Sequence, residues 1–186
     1  MVLERELMTA CRLAREAGAA IEAVREAGFE ELTKADETPV TRADLAADEV
    51  LTTGLTAVFP SDGLLSEESG HRHGTSERTW IIDPLDGTKG FIRDVEGYAV
   101  QIGLLEGHTP VLGVVYEPRV DRLYHAVRGQ GAFLEADGIV TRLEVSGRSA
   151  YSEMTMVAST SLRKSRRQEL VETLGLASSR PIRSVG

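Results

Sequence analysis

The stretch Trp80-Ile81-Ile82-Asp83-Pro84-Leu85-Asp86-Gly87-Thr88-Lys89-Gly90-Phe91 concentrates the side chains best equipped for chemistry. An apolar run delivers Asp83 at its end, and Asp86 follows three residues later, so a helical turn starting here would aim both carboxylates at one locus. Pro84 suits the first position of such a turn. Gly87 lets a ligand approach the backbone, and Thr88 adds a hydroxyl beside N–H groups where a phosphate is favoured. Acid oxygens next to a backbone carbonyl suit a hard cation such as Mg²⁺. The same run reads equally well as a helix cap followed by an acidic first turn.

Two further acidic groups bear on that choice. Glu67-Glu68 follows Leu64-Leu65-Ser66, and by itself is a solvated loop. Asp44 stands three residues after Thr41, where its local reading is the partner in a helix capping box. If all three stretches converge, four or five carboxylates share one pocket. Two like charges 4–5 Å apart repel by about 3–4 kcal/mol at an effective dielectric near 20. Such a cluster must bind cations or take up protons.

The elements that would position these groups follow from periodicity. Leu3, Leu7, Cys11, Ala14, Gly18, Ile21 and Val24 recur at helical spacing, which predicts a helix from Leu3 to about Glu26, ended by Gly28. Lys34 to Pro39 is polar and turn-like. A second helix is predicted from Thr41, with Ala47, Val50, Leu51, Gly54, Leu55 and Val58 as its core stripe and Pro60 as its stop. Short strands then follow one another: Leu64–Ser66, Trp80–Ile82, the alternating Tyr98–Leu104, Val111–Tyr116, Leu123–Val127 and Val140–Val145. Close connections such as Glu106-Gly107 and Asp137-Gly138 favour an antiparallel meander. A last helix is predicted over Leu162–Leu174. The class is α+β, helices packed on a large, mostly antiparallel sheet.

Composition narrows the function classes. With 21 Lys and Arg against 29 Asp and Glu, the net charge of −8 disfavours binding to a nucleic-acid polymer. A lone cysteine, Cys11, excludes a disulfide framework and a four-cysteine zinc site. No apolar run approaches the roughly 20 residues of a membrane span, and the charged start Glu4-Arg5-Glu6 does not read as a targeting segment, so a cytoplasmic location is expected. His71 and His73, without a nearby cysteine or third histidine, read as loop surface. The basic group Arg163, Lys164, Arg166 and Arg167 reads as a solvated helix face.

Taken together, Trp80-Ile81-Ile82-Asp83-Pro84-Leu85-Asp86-Gly87-Thr88 resembles the signature of the inositol monophosphatase-like, lithium-sensitive, Mg²⁺-dependent phosphatases. Ser66-Glu67-Glu68-Ser69 resembles that family's earlier acidic motif, and Thr41-Arg42-Ala43-Asp44 its Thr-x-x-Asp element. Gly113–Pro118, Gly129–Phe133 and Arg183–Gly186 resemble later segments. The resemblance implies a layered α/β/α sandwich of the sugar-phosphatase type. It implies that Glu67, Asp83 and the Leu85 carbonyl hold one Mg²⁺, that Asp83 and Asp86 hold a second, and that Glu67 touches a third through water. Gly87 and Thr88 would bind phosphate, and Thr88 and Asp44 would pair to activate water together with Glu67. Glu68 and Lys89 are candidates for supporting or substrate contacts.

Lys89 and the Ser66-Glu67-Glu68 variant of the acidic motif resemble the 3′(2′),5′-bisphosphate nucleotidases. The implied reaction is removal of the 3′-phosphate from adenosine 3′,5′-bisphosphate. Inositol 1-phosphate, another sugar phosphate or histidinol phosphate is the alternative substrate, and a small phosphorylated metabolite is the expected partner in each case. A homodimer is compatible with the resemblance. The family's later Trp-Asp segment has no counterpart in residues 1–186, in which Trp80 is the one tryptophan. The expectation is therefore an N-terminal metal- and phosphate-binding domain spanning 1–186, without the C-terminal substrate domain and poorly active alone, or a fragment acting only in metal or partner binding.

Overall fold

The computed structural model describes residues 3–28, 31–33, 39–93 and 97–182. Two compact units divide the chain, Met1–Leu143 and Glu144–Gly186. The first opens with helix α1 (Glu4–Ala27), which buries Ala10, Leu13, Ala14, Ala17 and Ile21 and ends at Gly28 with φ of +77°. A short antiparallel pair follows, β1 (Glu31–Thr33) and β2 (Pro39–Thr41). The predicted turn over 34–38 and the Arg183–Gly186 match lie outside the described residues. Helix α2 (Arg42–Val58) packs on α1 so closely that a Cβ on Gly54 would fall 2.3 Å from Leu13 Cδ2.

The remaining elements of this unit are β3 (Gly63–Ser66), β4 (Gly70–Arg72), β5 (Arg78–Asp86), α3 (Thr88–Ile92), β6 (Ala99–Glu106), β7 (Thr109–Glu117), β8 (Arg122–Val127), β9 (Gly131–Ala136) and β10 (Ile139–Leu143). They form an eight-stranded sheet in the order β10-β9-β8-β7-β6-β5-β3-β4. The antiparallel meander expected from the short connections runs from β5 to β10. One pair departs from it, because β3 lies parallel to β5. The α+β class holds: α1 and α2 cover the sheet face that carries Trp80, Ile82, Ile102, Leu104 and Val114.

A buried acid locks the turn after α2 to the sheet. Asp62 accepts hydrogen bonds from Arg78 Nη2 (2.7 Å), Ser76 Oγ (2.8 Å) and Trp80 Nε1 (3.1 Å). Arg78 also bridges to Glu6 of α1 at 2.7 Å. Burying a carboxylate is tolerable here because its charge is paired and its oxygens are hydrogen-bonded.

The second unit contains β11 (Thr155–Ser159), α4 (Lys164–Leu174) and β12 (Ser178–Ile182), with β11 and β12 parallel. Helix α4 ends at Gly175 in the left-handed conformation, close to the predicted stop. Periodicity does not predict these two strands, and no residue of either is buried to give one an apolar stripe.

One local expectation is corrected. Asp83, Pro84 and Asp86 lie inside β5 rather than on the first turn of a helix, and α3 begins only at Thr88. Asp83 pairs with Gln101 and Asp86 with Ala99, so β5 spends one residue more than β6 over this interval. A regular strand would send residues three apart to opposite faces; the extra residue of a bulge returns them to the same side. Pro84, which has no N–H to offer a ladder, is at home at such an irregularity.

Candidate active site

The parallel pairing of β3 and β5 sets the first relationship. Ser66 is in register with Ile82, and the Glu67 N–H continues the pairing to the Ile82 carbonyl at 3.3 Å. The residue after each is acidic, so Glu67, just past the end of β3, stands beside Asp83 of β5. The bulge then brings in Asp86. Burial pushes the Asp83 carboxyl up to about 7, with the charges of Glu67 and Asp86 adding to it. A hydrogen bond with Glu67 favours its protonated form, against the opposing pull of the Leu85 N–H. Asp86 is nearly buried, at 7% exposure, whereas Glu67 lies at the surface.

The second relationship crosses from α2 to α3. Asp44, 1% exposed, uses Oδ2 to accept from Thr41 N (2.7 Å) and Thr41 Oγ1 (2.8 Å). Thr41 Oγ1 in turn accepts from Ala43 N at 3.1 Å, completing the cap of α2. The other oxygen, Oδ1, accepts from Thr88 Oγ1 at 2.9 Å. Capping and the Thr88 contact are therefore not alternatives, since one carboxylate serves both with separate oxygens. Thr88 Oγ1 also lies 3.1 Å from the Leu85 carbonyl. Its single hydrogen favours the shorter, charge-assisted bond to Asp44, which leaves the hydroxyl oxygen able to accept a hydrogen bond from a third group.

Gly87 joins the two halves. Its φ is +89°, and an added Cβ would stand 2.7 Å from the Gly97 carbonyl oxygen. Lys89 is exposed on α3. Glu68 is half-buried, and its N–H donates to Ser66 Oγ at 3.2 Å. His71 and His73 are exposed, with ring centroids 4.1 Å apart.

Two residues escaped the sequence reading. Gln101 of β6 donates through Nε2 to Asp86 Oδ2. Asp48 of α2 accepts from Ser66 Oγ and, at 3.3 Å, from Ser69 Oγ. The one local signal was polarity in the wrong place, since Asp48 lies a helical turn after Asp44 on the buried side of α2.

The donor set is all oxygen: carboxylates of Glu67, Asp83 and Asp86 with the Leu85 carbonyl nearby. That chemistry fits Mg²⁺. Burial and the neighbouring charges of Glu67 and Asp86 hold the Asp83 carboxyl up at about 7, so a positive charge is favoured beside it. Among the described residues, no three His, Cys, Asp or Glu side chains are already gathered at metal-holding geometry. A cation held here would draw the carboxylates together.

The sequence profile of the inositol monophosphatase family matches residues 3–186. A histidinol-phosphatase of Chlorobaculum parvum is 38% identical over 153 residues, covering 82% of this chain and 58% of that protein. The 3′(2′),5′-bisphosphate nucleotidase CysQ of Salmonella typhimurium is 41% identical over 140 residues, covering 73% of this chain and 56% of its own length. The chain thus spans little more than half of these relatives. Among solved structures, the extragenic suppressor protein SuhB of Bartonella henselae superposes with a TM-score of 0.78 at 27% identity, over 96% of this chain and 70% of that one.

Proposed function

The chain belongs to the inositol monophosphatase family, and on that premise we propose that the complete protein hydrolyses a small phosphate monoester with the help of Mg²⁺. The observation that carries this reading is that Glu67, just past β3, and Asp86 of β5 both lie near enough to Asp83 to add to the burial that pushes it up to about 7. Glu67, Asp83, Asp86 and the Leu85 carbonyl would hold the cations, two in number by resemblance. When bound, Mg²⁺ neutralises phosphate oxygens and makes a water acidic enough to attack at neutral pH.

The chain's own residues do the rest. Thr88, with its proton committed to Asp44, offers a lone pair to an O–H of the attacking water and so orients it. Asp44 is itself immobilised by Thr41, so the pair is set before substrate arrives. Gly87, with its left-handed backbone packed against the Gly97 carbonyl and Tyr98, leaves no room for a side chain and so sets the turn that presents Thr88. Residues 1–186 supply the metal- and phosphate-binding part of the protein in this reading.

The preferred substrate is adenosine 3′,5′-bisphosphate, losing its 3′-phosphate. The similarity to the CysQ nucleotidase supports it, as do Lys89 and the Ser66-Glu67-Glu68 motif. Histidinol phosphate is the second reading, favoured by the histidinol-phosphatase that aligns over 82% of the chain. Phosphate release by the complete protein from these two compounds and inositol 1-phosphate, compared by kcat/KM, tests the assignment. A preference for inositol 1-phosphate over both would reject it.

A further inference from the structure

Asp48 is an acid that the proposed chemistry does not use, yet it is only 8% exposed. It follows Asp44 by one turn of α2, which stacks the two carboxylates on the same helix face. Asp44 reaches Thr88, and Asp48 reaches the other half of the site. Its Oδ1 accepts from Ser66 Oγ and from Ser69 Oγ, the two serines that bracket Glu67 and Glu68. Ser66 Oγ at the same time accepts the Glu68 N–H at 3.2 Å. The turn is thereby tied to α2 through both of its ends.

We propose that Asp48 is a positioning residue whose carboxylate clamps the Ser66–Ser69 turn and so fixes where the Glu67 carboxylate stands relative to Asp83. Strand pairing alone does not achieve this, because its last backbone bond, from the Glu67 N–H to the Ile82 carbonyl, fixes the Glu67 backbone and leaves the turn after it unpaired with β5. Beyond that point Glu67 and Asp83 repel when both are ionised, a force that would splay the turn away from β5. Hydrogen bonds from hydroxyls to a buried carboxylate are the strong, charge-assisted kind and resist that displacement. Helix α2 then acts as a ruler, with acids one turn apart holding Thr88 and the Glu67 turn. The inference rests on the reading of Glu67 and Asp83 as cation ligands.

The test is Mg²⁺ binding to the full chain by titration calorimetry at pH 7.5, alongside the thermal midpoint in EDTA. Asp48→Ala is expected to weaken Mg²⁺ binding about 10–100-fold, the usual effect of removing a group that orients a ligand. Asp48→Asn still offers a carbonyl oxygen to both serines, but in weaker neutral bonds, and should fall between wild type and Asp48→Ala. The double variant Ser66→Ala/Ser69→Ala should lose affinity like Asp48→Ala, and it serves if that variant does not fold. Wild-type affinity in Asp48→Ala or in the double variant overturns the clamp, even if the EDTA midpoint falls. So does an Asn variant as weak as the Ala variant. If the wild-type chain binds no Mg²⁺, the cation reading of Glu67 and Asp83 fails first and takes the clamp with it.

Discussion

Thr88 donates a 2.9 Å hydrogen bond to Asp44 across 44 residues of chain, and Asp44 is anchored by its second oxygen to the cap of α2. A hydroxyl whose hydrogen is committed to such a bond becomes an acceptor of defined direction. In the complete protein, Thr88→Val should lower kcat for phosphate release by about 100-fold or more, while Thr88→Ser, which keeps the hydroxyl, stays within roughly tenfold of wild type. Steady-state assays with saturating Mg²⁺ check this. Equal losses in both variants would mean that the hydroxyl is not what matters.

Asp83 makes stability depend on pH. Its native value near 7 lies above the ordinary 3.8, so the folded chain holds this proton more tightly than the unfolded chain. The stabilisation is complete below about 4 and is lost as pH rises through 7. Thermal midpoints in EDTA should therefore fall between pH 5 and 8 more steeply for wild type than for Asp83→Asn. Because a cation competes with that proton, Mg²⁺ should raise the wild-type midpoint more at pH 8 than at pH 6. Parallel profiles for the two proteins would contradict the assignment.

Asp62 offers a test of the scaffold away from the chemistry. Its carboxylate is 3% exposed and bonded to Arg78, Ser76 and Trp80. Asp62→Ala leaves the Arg78 guanidinium with Glu6 as its remaining partner among these groups, and should cost about 3–5 kcal/mol. Urea unfolding followed by far-UV circular dichroism, with Trp80 fluorescence as the reporter of the first unit, measures it. A loss below about 1 kcal/mol would place the network among inconsequential surface pairs.

Gly87→Ala meets two obstacles, a φ of +89° and a Cβ placed 2.7 Å from the Gly97 carbonyl oxygen. The expected cost is about 1–3 kcal/mol, with loss of phosphate release because the turn carrying Thr88 must shift. Retained activity with an unchanged unfolding midpoint would show that the turn absorbs the methyl group.

Much of this arrangement was readable from residues in order. The periods of α1 and α2, the stop at Gly28 and the cap at Thr41 are local, and they hold to within a residue or two. The three acidic stretches were each ambiguous locally, and only resemblance to a family joined them. The turn at Asp83–Asp86 could not be read correctly from its own residues, because Asp-Pro-x-Asp fits a helix start as well as a bulge. What decides is pairing with Ala99 and Gln101 of a strand further along the chain. Asp48 and Gln101 were illegible for the same reason, since their partners Ser66, Ser69 and Asp86 are neighbours only once the sheet has formed.

The most direct measurement is phosphate release from adenosine 3′,5′-bisphosphate by the complete protein, with Mg²⁺ or with EDTA, for wild type and Asp83→Asn. The account predicts turnover that vanishes in EDTA, returns with added Mg²⁺, and falls by about three orders of magnitude or more in Asp83→Asn despite a retained fold. Wild-type turnover in EDTA, or in the Asn variant, would contradict it.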